Sequence, residues 1–215
     1  MPTEEYAGYR EVVSESFRSW YGQQRDSWTG TDTNARVTEF VLGTAPAQEA
    51  GRRRTVLDVG CGRGLQTVAL ADQLSADVVG LDLLDVWDAP APERGLVRHR
   101  QGDFLSFTAE PMDLLVDNGC LHHQRQEDWP GWVRHGHSLL RPGGVWAVST
   151  FLSPHGETVA HPLDDGRLNW WVTEEALRGL FEPAGFEFRE RTEIDRDFQY
   201  EGHWLKYLAL SFTRR

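Results

Sequence analysis

Cysteine is scarce in this chain: 215 residues hold two, Cys61 and Cys120. Both fall inside stretches that read as site motifs, so a disulfide framework is not expected. Long apolar runs and a secretory leader are missing as well, which predicts a soluble, cytoplasmic protein with no membrane partner. Positive charge is also short. Lysine and arginine total 22 against 33 acids, a formal net charge of −11. Phosphate neutralisation dominates nucleic-acid affinity, so this balance argues against DNA or RNA as substrate and permits a neutral or cationic small molecule. The basic cluster Arg52 to Arg54 reads as solvated surface. No internal repeat is visible, and the length suits one domain with a sizeable core.

The stretch that organises the rest is Thr55-Val-Leu-Asp-Val-Gly-Cys-Gly-Arg-Gly64. Val56, Leu57 and Val59 suit a strand buried on both faces. Three glycines follow, and then Leu65, Val68 and Ala69 recur at helical spacing. This is strand, glycine turn, helix, a unit whose backbone can approach a ligand closely while the helix start presents free amides. A turn built for a pyrophosphate has the spacing G-x-G-x-x-G. Here it is G-x-G-x-G, preceded by Asp58. An anion there is awkward beside a diphosphate and useful beside an ammonium. The stretch resembles the first motif of class I S-adenosylmethionine (SAM) dependent methyltransferases. The resemblance implies that Asp58 lies near the methionine amino group and that Gly60, Cys61 and Gly62 pass under the cofactor, with S-adenosylhomocysteine as product.

Residues 4 to 22 read as a helix with Tyr6, Tyr9, Val13 and Phe17 on one stripe and Trp20 and Tyr21 at its end. Trp28 follows, then a second helical pattern through Val37, Phe40 and Val41. The aromatic density fits a helix packed on the core, or a lid over residues 1–45 whose Trp20, Tyr21 and Trp28 wall a substrate pocket. Trp28 with Gly30 resembles the N-terminal signature of thiopurine methyltransferase-like enzymes. Residues 43 to 54 look like a surface loop, and residues 46–215 form the expected cofactor-binding domain.

Ala76 to Leu83 gives a second strand ending in Asp82, about twenty residues beyond the glycines, where a carboxylate can accept from both hydroxyls of a ribose. Capping of the next segment is the plainer role for it, and Leu83 beside it can pack on the nucleoside. A third strand, Leu96 to Arg100, leads to Asp103 and Phe104. This pair resembles the family's third motif, which implies an acid on the adenine amino group and a side chain over the ring. Met112 to Val116 forms a fourth strand running into Asp117-Asn-Gly-Cys-Leu-His-His123, at the strand ends where open parallel sheets hold ligands. Asp117 and Asn118 are therefore candidates for the cofactor side. The Asn/Asp-Pro-Pro-Tyr/Phe clamp of methyltransferases acting on DNA bases or protein amides is missing. In its place stand His122 and His123, either of which could take a proton from an acceptor, or could simply hydrogen-bond the loop. Adjacent histidines point different ways and no carboxylate or cysteine stands at ligand spacing, so no metal centre is expected.

Asp128 is placed to cap a helix with Pro130 in its first turn, and Leu140-Arg-Pro-Gly-Gly144, a landmark in the same family, should stop it and turn the chain into a fifth strand, Val145 to Thr150. Residues 151 to 171 break the pattern and read as a long loop inserted on the substrate side, with His155, Trp170 and Trp171 as acceptor contacts. Thr173 should cap a further helix. Phe186 to Thr192 and Leu205 to Thr213 then alternate as a closing strand pair. The alternation of strands and helices predicts an α/β fold, a three-layer αβα sandwich. Family resemblance adds a seven-stranded Rossmann-like sheet of order 3-2-1-4-5-7-6 with strand 7 antiparallel.

The function these features point to is methyl transfer from SAM to an O, N or S atom of a small molecule, by a monomer or homodimer. Arginine and glycine usage suggests a high-GC bacterial source and hence a specialised-metabolite acceptor. Two rivals stand beside it: a SAM-fold protein that uses the cofactor as scaffold for a non-methylating reaction or binding role, and an NAD-dependent oxidoreductase.

Overall fold

The computed structural model describes residues 3–26, 28–200 and 202–215. Its centre is the apolar run of the first motif, β1 (Thr55–Val59), buried at four of five positions. β2 (Asp77–Asp82) and β4 (Met112–Asn118) flank it in parallel, β3 (Leu96–Gln101) lies outside β2, and β5 (Leu140–Leu152) lies beyond β4. The closing pair is β8 (Phe186–Tyr200) and β9 (His203–Arg214), and β9 runs antiparallel beside β5 from Val145↔Thr213 to Phe151↔Tyr207. The main path is therefore β3-β2-β1-β4-β5-β9-β8, the expected order, with two further strands that come before the closing pair in the chain and branch from the end of β5.

Those two strands correct the sequence reading. Residues 151–171 are not a long loop: β6 (Val159–Pro162) and β7 (Leu168–Val172) pair antiparallel, and β7 extends the sheet through Phe151↔Trp171 and Leu152↔Val172. Leu163 to Gly166 makes the reversal, with Gly166 at φ +85°. Pro162 is tolerated because β6 is an edge strand that pairs only with β7. Nor does Leu140-Arg-Pro-Gly-Gly144 merely turn: β5 starts at Leu140, opposite Met112, and the register slips by a bulge before Leu114↔Val145.

Helices fill the two outer layers. On one face α2 (Asp32–Thr44) and α3 (Leu65–Leu74) bury Val37, Val41, Leu70 and Ala71 against Val56, Val78, Leu114 and Val116. On the other, α4 (Trp129–Leu139) and α5 (Glu174–Phe181) bury Trp132, Leu139, Leu177 and Phe181 against Leu115, Trp146 and Phe212. Each such side chain is worth roughly 1.5–3 kcal/mol of apolar burial, which outweighs the modest helix propensities here. Gly136 lets α4 press on the sheet, since a Cβ there would lie 2.0 Å from the Trp146 ring. Thr173 caps α5 through Ala176 N, as expected. Asp128 does not cap α4; its carboxylate is held instead by Arg125 at 2.7 Å. Among the described residues no helix is long and apolar enough to cross a membrane.

Candidate functional site

A cleft of about 980 Å³ lies at the carboxyl ends of the parallel strands, lined by the glycine turn, the loops after β2, β3 and β4, and the first helix, α1 (Glu4–Gly22). The turn is tied on both sides. Gly60 N donates to Leu81 O at 2.7 Å, and Gly62 N donates to the Asp82 carboxylate at 2.9 Å. Gly60 sits at φ +71°, and a Cβ there would fall 1.9 Å from the Cys120 sulfur, so only glycine lets the turn and the loop after β4 approach so closely. The other Asp82 oxygen accepts from Leu84 N at 2.8 Å. Burial nevertheless pushes the Asp82 carboxyl above the usual range. Cys61, Gly62, Asp82, Leu83, Asp103, Phe104 and Asn118 all line the cleft.

Asp58 and Asp117 lie deeper, behind the cleft surface. Asp58 is 1% exposed and accepts from the Thr67 hydroxyl at 2.6 Å, with its carboxyl pushed up to about 7 by burial. Asp117 accepts from Cys120 N, Leu121 N and the Trp132 indole, and burial raises it to about 6. Its bonds hold the loop that carries the two histidines. Asn118 bridges Ser149 and Gln66 at the cleft wall.

Helix α1 crosses the cleft and is fastened at three heights. The Tyr6 hydroxyl donates to Asp103 Oδ1 at 2.6 Å, while Oδ2 is buried with no hydrogen bond and has Arg10 at 3.5 Å. The Tyr9 hydroxyl donates to the His123 carbonyl and accepts from Leu168 N, both at 2.8 Å. The Ser16 hydroxyl donates to Asp165 and accepts from Arg167 Nε. The helix thus joins the loop after β3, the histidine loop and the β6–β7 hairpin.

The two histidines occupy a 3-10 turn, Leu121–His123, and both are buried. His123 is committed. Its Nδ1 lies 3.0 Å from the Leu168 carbonyl, and Arg167 Nη1 lies 3.1 Å from Nδ1 and 3.2 Å from Nε2. A carbonyl only accepts and a guanidinium only donates, so the tautomer with the proton on Nδ1 serves Leu168 and leaves Nε2 to accept from Arg167. His122 rests on Phe151 at 4.1 Å and has the Ser149 carbonyl as its partner, while its Nδ1 has no hydrogen bond. Burial drives both imidazoles well below their usual value. The His122–His123 proximity and Arg196 add to this at His122, and Arg167 adds to it at His123. Among the described residues no group of three potential ligands could hold a metal ion.

Trp20, Tyr21 and Trp28 form one aromatic wall, with the Trp28 ring 6.0 Å from Trp20 and 5.8 Å from Tyr21. Trp171 lines the opposite wall, with the His161 ring 3.9 Å away. Trp170, expected beside it as an acceptor contact, points to the other face of β7 and packs on Trp129 at 5.1 Å, because neighbouring residues of a strand face opposite ways. His155 sits 6.0 Å from Trp171, outside the cleft lining, and His161 takes the position expected of it. The sequence reading missed Arg167, Asn169, Phe151 and Tyr207, which also line the cleft.

The family model described as "Methyltransferase domain" matches residues 30–191. The crystal structure of a Burkholderia thailandensis 1,6-didemethyltoxoflavin-N1-methyltransferase, with bound 1,6-didemethyltoxoflavin and S-adenosylhomocysteine, is 26% identical, with a TM-score of 0.81, covering 100% of this chain and 92% of that one. A [4+2]-cyclase, SpnF, shares the fold at 20% identity with a TM-score of 0.68, over 83% of this chain and 80% of that one. A ubiquinone biosynthesis O-methyltransferase of Ruegeria pomeroyi is 31% identical over 150 residues, 61% of this chain and 59% of that protein. The chain spans about half the length of the curated relatives it matches.

Proposed function

This chain belongs to the methyltransferase domain family, and from that membership we propose that it moves a methyl group from SAM to an O, N or S atom of a small molecule. The observation that carries the reading is the cleft over the glycine turn. Its fit to SAM rests on two features: a glycine turn whose Gly60, Cys61 and Gly62 line the cleft, and a buried Asp103 oxygen with no hydrogen-bond partner. When bound, SAM supplies a methyl group already activated by its sulfonium. The chain's part is then to position the acceptor and exclude water.

Asp82, fixed by the amides of Gly62 and Leu84, would take the ribose hydroxyls. Asp103 Oδ2 would take the adenine amino group, with Leu83 and Phe104 near the ring. Gly60, Cys61 and Gly62 give the backbone its close approach, and Asn118 faces the amino-acid end. Asp58 backs the turn as the anion nearest an ammonium placed there, and Asp117 holds the histidine loop. For an acceptor that arrives protonated, His122 is the base, because His123 has both ring nitrogens engaged. Trp20, Tyr21, Trp28 and Trp171 form flat walls for a planar acceptor. The family's 1,6-didemethyltoxoflavin enzyme, which covers this chain end to end, supports a small heteroaromatic acceptor.

Calorimetry with S-adenosylhomocysteine and with NAD tests the cofactor: micromolar binding of the first and none of the second is expected. Transfer of labelled methyl to a panel of phenols, heteroaromatic amides, amines and thiols tests the reaction. Tight S-adenosylhomocysteine binding without transfer to any of them would turn the reading to a cofactor used as scaffold.

A further inference from the structure

The acceptor end of the cleft contains a buried guanidinium that, among the described residues, no carboxylate touches directly. Arg167 is 3% exposed, and its hydrogen bonds run from Nε to Ser16 and from Nη1 to His123 and Asn169, all neutral partners. Its guanidinium reaches Asp165 only through the Ser16 hydroxyl. The rings of Phe17 and Trp20 lie against it, at 4.2 and 5.4 Å. Nη2 carries none of these hydrogen bonds, and Arg167 lines the cleft. From the far wall Arg196 lies over Phe151 and Tyr207, also lining residues. The acids that line the cleft, Asp32, Asp82 and Asp103, belong to the start of α2, the end of β2 and the loop after β3. The groups facing Arg167 are thus Ser16 with Asp165 behind it, Tyr9, the two histidines and Asn169. A buried cation is costly without a partner, and this one has Nη2 outside its hydrogen bonds to Ser16, His123 and Asn169, beside a flat aromatic wall.

Resting on the methyl-transfer reading above, we propose that the acceptor is a planar acid bound as its anion, with its negative oxygen on Nη2 of Arg167. Phenols bearing electron-withdrawing groups and acidic heteroaromatic amides are the matching chemistry. The acceptor's proton goes to solvent before binding. A lone pair on that oxygen in a phenolate, or on a ring nitrogen conjugated with it in a heteroaromatic amide, then forms the bond to the methyl carbon as the carbon–sulfur bond breaks, and the bonding electrons stay on sulfur. The anion and the sulfonium give two neutral products, so no base is needed at that step. The neutral state of His122 and His123 is consistent with this, since a positive field that stabilises the acceptor anion disfavours imidazolium. A molecule of net charge −11 thereby holds an anion by a local exception.

The test uses the full chain saturated with S-adenosylhomocysteine, probed with 4-nitrophenol and its uncharged ether 4-nitroanisole. The visible absorbance of the phenolate reports its ionisation in the site directly. The expected result is that 4-nitrophenolate binds about tenfold more tightly than the ether and that bound phenol ionises about one pH unit lower than free phenol. Arg167→Met should abolish both effects, and Arg167→Lys should retain part of them. Equal affinity for phenolate and ether, absence of phenolate binding, or an unchanged preference in a folded Arg167→Met would overturn the proposal. If Arg167→Met does not fold, the ionisation shift in the unaltered protein decides alone. Failure to bind S-adenosylhomocysteine at all would instead strike the methyl-transfer reading.

Discussion

The hydroxyl of Tyr6 and the carboxylate of Asp103, 97 residues apart, meet in a 2.6 Å hydrogen bond. The acid expected to serve the adenine therefore also anchors the helix that crosses the cleft, and burial beside that carboxylate pushes the Tyr6 phenol up so that it remains a donor. Oδ1 holds the helix through Tyr6, while Oδ2 has no hydrogen bond and faces Arg10 of the same helix at 3.5 Å.

Tyr6→Phe should consequently affect both the helix and the cofactor. A hydrogen bond to a charged group is worth about 1.5–3 kcal/mol, and at about 2–4 °C per kcal/mol for a chain of this size the midpoint of thermal unfolding should fall by several degrees. S-adenosylhomocysteine affinity, measured by calorimetry, should drop several-fold. An unaltered midpoint and affinity would show that the latch is idle.

Gly60→Ala places a methyl group 1.9 Å from the Cys120 sulfur at a φ of +71°. Strain of this kind costs about 1–3 kcal/mol before any clash is counted. The variant should be destabilised in urea and should lose S-adenosylhomocysteine binding. Adding Cys120→Ala should relieve only the clash, because the backbone angle remains.

Asp58 titrates at about 7 and Asp117 at about 6 in the folded chain, both raised by burial from an unfolded value near 4. The folded state thus binds more protons than the unfolded one across that interval. Stability should fall as pH rises from about 4 to about 7 and level off above. Denaturant titrations across this range should show the slope, and Asp58→Asn should flatten its upper part. S-adenosylhomocysteine binding near pH 6 should also release protons, because an ammonium near Asp58 favours the carboxylate. Equal calorimetric enthalpies in buffers of different ionisation enthalpy would count against that contact.

His122→Ala and His123→Ala should part company. Loss of His123 leaves the Leu168 carbonyl and Arg167 short of a partner and should destabilise the chain by about 1–3 kcal/mol. Loss of His122 should leave cofactor affinity unchanged. With an acceptor that arrives protonated it should lower kcat by about a hundredfold, and with one already ionised by only a few-fold.

The strands of the sheet were readable in the sequence because β1, β4 and the core of β5 are buried on both faces and are correspondingly apolar. The glycine turn was readable because its spacing is tied to a backbone geometry. The β6–β7 hairpin was not: Pro162, Asp164, Asp165 and Gly166 interrupt any alternation, and an edge pair has too little buried face to impose one. Trp170 and Trp171 could not be told apart without knowing that they lie on a strand. Arg167 was invisible for a different reason. A buried arginine has the same letter as a solvated one, and what buries it is α1, some 150 residues away. Asp128 looked like a cap because Pro130 follows it, yet Arg125 three residues earlier competes for the same carboxylate and wins.

The family model's match begins at residue 30, downstream of α1. Tyr9 and Ser16 nonetheless hold the histidine loop and the hairpin in register with each other. A fragment trimmed to the matched span would keep the glycine turn but lose the Tyr9 and Ser16 hydroxyls that hold the His123 carbonyl, Leu168 and Arg167, so the edge of the family model is not the edge of the framework around the cleft.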